Sequence, residues 1–226
     1  LSSAEVARPR LITFLSKHVD RKLLLVTGPA GSGKTTLLSA WLRECSCPVA
    51  WVSLDEGDND LARFWRYVLA ALQKHAPDLA THTLTLLPTL QSEALESFLI
   101  PLVNALATLA GKIVLVLDDY HLLTSQPVQA SVTFLLEHAP EQLCLVIASR
   151  VLPLLPLPRL RAQRLMVELS FADLRFTQQE AGELLRVLTD NTPTGEDLSR
   201  LLEYTAVEHY ATRCYYKIRV GVSYNN

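Results

Sequence analysis

The residues whose types and spacing best support chemistry form one short run, Gly28-Pro29-Ala30-Gly31-Ser32-Gly33-Lys34-Thr35. This run matches the pattern G-x-x-x-x-G-K-[ST], which is typical of a loop that wraps around phosphate groups. Its glycines let backbone N–H groups contact phosphate oxygens without a side chain in the way. An apolar stretch of strand length precedes the run and an amphipathic stretch follows it, as such a loop requires. The pattern predicts a nucleotide-phosphate site; the alternative is a glycine-rich turn with a surface lysine.

The last residues of this loop have separate expected roles. A helix that begins near Gly33 would place its positive dipole end at the phosphates. Lys34 is expected to bridge the β- and γ-phosphates, and Thr36 to contact the α-phosphate. The hydroxyl of Thr35 is expected to ligate Mg²⁺. The predicted cofactor-binding residues of the loop are Gly28, Pro29, Ala30, Gly31, Ser32, Gly33, Lys34, Thr35 and Thr36.

A second candidate is the apolar run 113–117, which ends in the two carboxylates of Asp118 and Asp119. Asp118 is expected to hold Mg²⁺ opposite Thr35, directly or through water. Asp119 is expected to orient or deprotonate the attacking water and is predicted to be catalytic. The alternative is a solvated strand end without a role. One predicted strand lies between the two motifs, so by analogy with one class of ATPases their strands are expected not to be neighbours in the sheet.

Three other polar positions follow predicted strands. Arg150 ends the fourth one and is predicted to sense the γ-phosphate, the alternative being a structural ion pair. Asp55 and Glu56 follow the second strand and are expected to lie in a solvated loop. His121 follows the two carboxylates and is expected to be packed or hydrogen-bonded rather than catalytic.

The elements that must position these residues alternate along the chain. Apolar runs predict strands at 22–28, 48–54, 112–119, 143–150 and 164–170, and amphipathic runs between them predict helices. Continuous apolar strands covered on both faces indicate a parallel sheet in an α/β fold. Segment 92–110 is predicted to be a helix that Pro101 breaks or kinks. Thr177 and Glu180 have the spacing of a capping box at the start of a last helix.

Composition narrows the class of protein. The chain has 226 residues, 49% of them hydrophobic, and a net charge of −2. These values fit one large or two small domains with a sizeable core, and no overall charge that favours nucleic acid or an anionic membrane. Neither a signal peptide nor an apolar run of about 18 residues is present in the sequence, so a cytoplasmic location is expected. Its four cysteines predict ordinary thiols of a reducing compartment. The chain begins at Leu1 rather than Met, so we expect a fragment of something longer.

Several strings, taken together and in this order, resemble the nucleotide-binding domain of MalT-like, ATP-dependent LuxR-type transcriptional regulators. They are Val6-Ala7-Arg8-Pro9-Arg10-Leu11, Gly28 to Thr36, Trp51-Val52-Ser53-Leu54-Asp55-Glu56-Gly57-Asp58-Asn59-Asp60, Leu117-Asp118-Asp119-Tyr120-His121, Ala148-Ser149-Arg150 and Leu174-Arg175-Phe176-Thr177. These regulators belong to the STAND class of signalling ATPases. The resemblance covers about residues 6 to 202.

The resemblance implies a P-loop NTPase fold, a three-layer sandwich with a parallel sheet followed by a small helical segment. The implied boundaries are 1–170 for the nucleotide-binding domain and 171–202 for the start of the helical domain. It implies ATP and ADP as ligands, with Arg8 or Arg10 in contact with the nucleotide. It also implies self-association that depends on the nucleotide. Residues 203–226 match no part of the family and are expected to be a different module or a non-native extension. The downstream regulatory and DNA-reading domains are not in this chain, so no direct DNA binding is expected.

The leading hypothesis is therefore an ATP-binding and slowly hydrolysing switch domain of a bacterial transcriptional regulator, with Asp119, Lys34 and Arg150 as catalytic residues. Two other functions stay open. One is a nucleotide-binding module without turnover. The other is a P-loop kinase of a small acceptor, whose only candidate lid arginines are Arg159, Arg161 and Arg164.

Overall fold

The computed structural model describes residues 8–75 and 95–189, together with the single positions Leu87, Gly195 and Ser199. The predicted tail 203–226, its five tyrosines and Cys214 lie outside the described residues. The predicted boundaries at 170 and 202 stay predictions.

The centre of the fold is a parallel sheet of five strands. The strands are β1 (Leu23–Thr27), β2 (Val49–Ser53), β3 (Ile113–Asp118), β4 (Leu143–Ser149) and β5 (Met166–Leu169). Their order across the sheet is β2-β3-β4-β1-β5. The five predicted strands are confirmed, with ends that differ by at most two residues from those expected. Because β4 lies between β1 and β3, the expectation that the two motif-bearing strands are not neighbours is also confirmed.

Helices connect the strands and cover the sheet. They are α1 (Pro9–Lys17), α2 (Lys34–Glu44), α3 (Leu61–Gln73), α4 (Leu95–Ala107), α5 (Gln126–His138), α6 (Leu157–Ala162), α7 (Phe171–Leu174) and α8 (Gln178–Thr189). Two 3₁₀ turns, Glu56–Asn59 and Tyr120–Leu122, follow β2 and β3. Among the described residues, no helix has the length and apolar character needed to cross a membrane.

The core has two halves because neighbouring residues of each strand point to opposite faces of the sheet. On one face, Leu23 and Leu25 of β1 pack in a cluster with α3, α4 and α5. On the other face, Leu24 and Val26 pack with α1 and α2. This double cover explains why every residue of β1, β3 and β4 is buried. The predicted three-layer α/β arrangement is confirmed.

Of the two effects predicted for Pro101, the break does not occur, and the kink stays a prediction. Helix α4 continues through this proline, although a proline inside a helix typically costs about 3 kcal/mol. Four apolar side chains on both sides of it are fully or almost fully buried in the core, namely Phe98, Leu99, Leu102 and Leu106. Burying a side chain of this kind stabilises by roughly 1.5–3 kcal/mol, so their packing outweighs the effect of one proline.

The predicted capping box at the start of α8 is confirmed. The Thr177 N–H donates to Glu180 Oε2 at 2.9 Å, and the Glu180 N–H donates to Thr177 Oγ1 at 3.2 Å. Ala181, Leu184 and Leu185 are buried, as the predicted helix face requires, whereas the side chain of Leu188 lies outside the described residues.

One buried polar contact offers a test of the core. The indole N–H of Trp65 donates to Ser131 Oγ at 3.0 Å, and both residues have no exposed surface. We expect Ser131→Ala to lower the free energy of unfolding by about 1–3 kcal/mol, because the indole N–H is then buried without a partner. Ser39→Ala, on the exposed face of α2, is the matched control and should change stability little. Equal denaturation midpoints for the two variants would contradict this account.

Candidate functional site

The carboxyl ends of parallel strands meet at one edge of a sheet, which is where ligands of open α/β folds bind. In this chain the edge carries the loop 28–33 after β1, Asp118 at the end of β3 and Arg150 directly after β4. The sequence predicted these three features independently. The topology brings them to the same side of the molecule.

The backbone of the loop after β1 depends on glycine. Gly31 and Gly33 have φ values of 76° and 82°, in the left-handed region that glycine adopts without a steric penalty. Gly28 is required for a different reason. A Cβ atom there would lie 2.8 Å from Ser32 Oγ and 3.2 Å from Leu174 Cδ1. The loop can therefore close tightly while its N–H groups stay uncovered by side chains.

Lys34, the first residue of α2, points back into this loop. Its ammonium group is buried and donates to the carbonyl oxygens of Gly28 at 2.7 Å and Pro29 at 3.0 Å. Burial lowers the pKa of Lys34, and the carboxylates of Asp119 and Asp118 act in the opposite direction. Ser32 Oγ is also buried and has no hydrogen-bond partner among the described residues. The loop thus contains donors suited to an anion.

Thr35 and Asp118 form the contact that joins the two motifs. Thr35 Oγ1 donates to Asp118 Oδ2 at 2.9 Å, and the Asp119 N–H donates to Asp118 Oδ1 at 3.0 Å. Asp118 is only 3% exposed, and burial raises the pKa of its carboxyl group. A hydroxyl and a carboxylate side by side are oxygen ligands of the kind that Mg²⁺ prefers. No group of three or more His, Cys, Asp or Glu side chains that could hold a metal occurs in the described ranges.

Asp119 lies directly after the strand, with φ 58° and ψ 36° in the left-handed region. Its side chain is 45% exposed, so it reaches solvent where Asp118 does not. His121 lies beside it, with Nδ1 at 3.8 Å from Asp119 Oδ1. Both ring nitrogens of His121 are buried without a hydrogen-bond partner in the described part of the chain. The prediction that His121 is packed agrees with this burial, but the hydrogen bond considered for it is not found.

Arg150 is exposed at the same edge. Burial lowers the pKa of Lys34 and of His121, and the positive charge of Arg150 lowers both further. The three groups are therefore close enough to interact electrostatically. Within the residues that the structure describes, Arg150 makes no hydrogen bond or ion pair. The structural ion pair considered for it is therefore not observed there.

Arg8 and Arg10 hold the segment after the last strand. Arg8 donates to the carbonyl oxygens of Leu174 at 2.7 Å and Arg175 at 2.9 Å, and its guanidinium lies 3.3 Å from the carboxylate of Glu180. Arg10 donates to the carbonyl oxygens of Asp173 and Arg175. Leu174 in turn approaches Gly28 in the phosphate loop. The predicted contact of Arg8 or Arg10 with the nucleotide stays a prediction; in this structure both side chains bind protein.

The loop after β2 has the exposed character expected for Asp55 and Glu56. Asp58, three residues further, is instead 1% exposed and binds Arg63 Nε at 3.1 Å. Its neighbour Asn59 bonds to the loop that follows Asp119. No functional role for Asn59 is predicted from the sequence. The one indication at this position is that Asn59 belongs to the string 51–60.

The profile of the AAA ATPase domain matches residues 7–147. The chain belongs to this family. Membership of the AAA ATPase domain family implies nucleotide binding, in agreement with the loop 28–35.

Similarity to known proteins is consistent with this assignment. The HTH-type transcriptional regulator MalT of Klebsiella pneumoniae is 36% identical over 201 residues, which cover 89% of this chain and 22% of the regulator. A STAND protein with a tetratricopeptide repeat sensor from Pyrococcus horikoshii superposes with a TM-score of 0.60 at 17% identity, over 89% of this chain and 28% of that one. A Walker-type ATPase from Pyrococcus abyssi gives a TM-score of 0.57 at 14% identity, over 96% and 73%. The predicted resemblance to MalT-like regulators is confirmed, and the chain spans 22% of the length of these relatives.

The position of Lys34 gives a direct test of the site. We expect Lys34→Ala to abolish nucleotide binding in a titration with a fluorescent ATP analogue, because the only buried ammonium in the loop is lost. Lys74→Ala removes an exposed lysine after α3 and should bind as the wild type does. Unchanged affinity in the Lys34 variant would show that the nucleotide binds elsewhere.

Proposed function

We propose that this chain is an ATP-binding and slowly hydrolysing switch domain of a bacterial transcriptional regulator. The observation that carries the proposal is the hydrogen bond between Thr35 and Asp118 at 2.9 Å, with Lys34 and Asp119 adjacent to it. This arrangement joins a phosphate loop to a strand-end carboxylate, as nucleotide hydrolysis requires. Similarity to MalT supports the regulatory part of the proposal.

In this proposal the loop binds the triphosphate through backbone N–H groups and the N-terminus of α2. Lys34 would exchange its two carbonyl partners, Gly28 and Pro29, for the β- and γ-phosphate oxygens. The exchange would be favourable because the ammonium group gains two anionic partners in place of two neutral carbonyl oxygens. Thr36, which is exposed on the first turn of α2, would contact the α-phosphate.

The residues present fit Mg²⁺. Thr35 and Asp118 would hold it, Asp118 directly or through water, and it would neutralise charge that develops on the phosphates during hydrolysis. The hydrogen bond between Thr35 and Asp118 supports this assignment, because it already brings the two oxygen ligands within 2.9 Å of each other.

Hydrolysis would depend on Asp119. Its exposed carboxylate lies at the edge where a water would attack, and it can accept a proton or orient that water. Arg150, which has no hydrogen-bond or ion-pair partner in the described residues, would stabilise negative charge on the γ-phosphate. Slow turnover agrees with a site in which Asp119 stays 45% exposed, because water screens the charges that act there.

The switch itself would require parts outside this chain. ATP would favour self-association and ADP the resting state, and the downstream domains of a longer regulator would read the difference. Since the relatives are transcriptional regulators, we expect it to work in the cytoplasm. DNA contact would belong to other domains, in agreement with the net charge of −2.

A binding module without turnover is the second candidate function. It is favoured by the partial exposure of Asp119, whose side chain is open to solvent over 45% of its surface. The kinase alternative has less support, because two of its three candidate lid arginines are already in ion pairs. Arg159 binds Glu137 and Arg161 binds Glu168, each at 2.7 Å.

The role of Asp119 separates the first two functions. We expect Asp119→Asn to bind ATP with Mg²⁺ within about threefold of wild-type affinity and to hydrolyse it at least tenfold more slowly, because the amide is a poor proton acceptor. Single-turnover hydrolysis with excess protein measures this. Asp20→Asn is the control, since Asp20 is 86% exposed and precedes β1 at the opposite edge of the sheet. Wild-type turnover in the Asp119→Asn variant would remove Asp119 from its role, and absence of turnover in the wild type would favour the binding module.

The nature of the bound nucleotide tests the switch. Denaturing the purified chain and separating the released small molecules should give ADP at near one per chain, and none from Lys34→Ala. A guanine nucleotide would contradict the proposal. If the protein is empty, titration with ATP and Mg²⁺ decides, and no saturable binding would overturn it.

A further inference from the structure

The loop that carries Asp119 is short and strained. It runs from Asp118, the last residue of β3, to Ser125, which precedes α5. Asp119 adopts left-handed backbone angles, which are sterically unfavourable for a residue with a Cβ atom. The 3₁₀ turn Tyr120–Leu122 follows immediately. A loop of this kind keeps its shape only if contacts from elsewhere hold it.

Most side-chain hydrogen bonds to this loop come from Asn59, at the end of the 3₁₀ turn after β2, and one more comes from Gln129 of α5, whose Nε2 donates to the carbonyl oxygen of Leu123 at 2.9 Å. Asn59 Nδ2 donates to the carbonyl oxygen of Leu122 at 2.9 Å. Asn59 Oδ1 accepts from the backbone N–H groups of Thr124 and Ser125, each at 2.7 Å. Both N–H groups lie at the start of α5, where no intrahelical partner exists for them. The Asn59 amide therefore makes three hydrogen bonds to the backbone of the loop.

Asn59 is itself fixed within its own turn. Its second amide hydrogen is donated to the carbonyl oxygen of Glu56 at 2.9 Å. The turn is closed by a capping box, in which the Asp55 N–H donates to Asp58 Oδ2 and the Asp55 side chain accepts from the backbone of Asp58. The side chain of Asp58 is buried. Arg63 of α3 binds both Asp55 and Asp58. Asn59 thus connects a rigid turn, anchored to α3, with the loop after β3.

The chemistry of the contact selects asparagine. An amide group has two donor hydrogens and an acceptor oxygen with two lone pairs, and all of these are used here. Aspartate would keep the acceptors but place an oxygen against the carbonyl oxygens of Leu122 and Glu56. Alanine would leave four backbone groups without these partners.

We infer that Asn59 is a positioning residue for hydrolysis, which fixes the backbone of the loop that carries Asp119 and His121. This inference rests on the proposed function of Asp119. Asn59 itself lies in the β2–α3 connection and its amide is bonded to four backbone groups, so it would affect the reacting groups through the loop. Its loss should slow the chemical step and leave the phosphate loop, on the other side of β4, able to bind nucleotide.

Kinetics and amide exchange test this inference together, on the 226-residue chain. For Asn59→Ala we expect kcat for ATP hydrolysis to fall at least fivefold and KM to stay within about threefold. Active sites are counted by binding of a fluorescent ATP analogue, so that a partly unfolded preparation does not imitate the effect. Asn59→Asp, which keeps the volume of the side chain, should show the same direction. Asn104→Ala, exposed on α4, is the control.

The second readout needs no turnover. In nucleotide-free protein, the amide hydrogens of Thr124 and Ser125 should exchange at least fivefold faster in Asn59→Ala than in the wild type, because their acceptor is gone. Exchange within twofold of wild type, or a smaller loss of kcat than stated, would falsify the inference. A wild-type chain that binds ATP without hydrolysing it would contradict the proposed function instead, and the amide exchange would then decide whether Asn59 holds the loop.

Discussion

The hydrogen bond from Thr35 to Asp118 joins residues 83 positions apart, and the site exists only where this bond can form. Its formation depends on the register of β4, which pairs with both neighbouring strands. Ile147 of β4 lies level with Leu25 of β1 and with Leu117 of β3. A slip of one residue on either side would displace one strand end by about 3.3 Å, more than a hydrogen bond tolerates. The chemistry therefore depends on strand register more than on any single side chain of the loop.

The core protects this register. All seven residues of β4 are buried, and alternate side chains pack into the two halves of the core. A one-residue slip would exchange the faces of the slipped strand, so that Leu25 would have to fit the half that now accepts Leu24. The two halves are built from different helices and have different shapes. Apolar burial alone has no direction, but packing into two differently shaped halves of the core fixes the strand register. The register in turn fixes the position of Asp118 at the edge of the sheet.

The features predictable from sequence are those that depend on neighbouring residues. The phosphate loop, the carboxylate pair after β3 and the five strands each leave a local pattern. The features that sequence reasoning missed depend on partners far along the chain. Helix α4 passes through Pro101 because buried residues around it pack in the core. Arg8 binds a carbonyl oxygen 166 positions away, and Asn59 binds Ser125 N–H 66 positions away. The left-handed backbone of Asp119 has no signature either, since most aspartates do not adopt it.

The segment after the sheet lies against the phosphate loop, and Arg8 binds two separate parts of this segment. Glu180 accepts from the Thr177 N–H at the start of α8 and also neutralises Arg8. Burial alone would raise the pKa of Glu180, but the Thr177 hydrogen bond and the charge of Arg8 outweigh it, so the pKa lies below its ordinary value. The stabilisation is therefore present above the ordinary pKa of a glutamate and is lost as the pH falls through the lowered one. Arg8 thus connects Glu180 at the start of α8 with the backbone of Leu174, whose side chain occupies the space beside Gly28 in the phosphate loop.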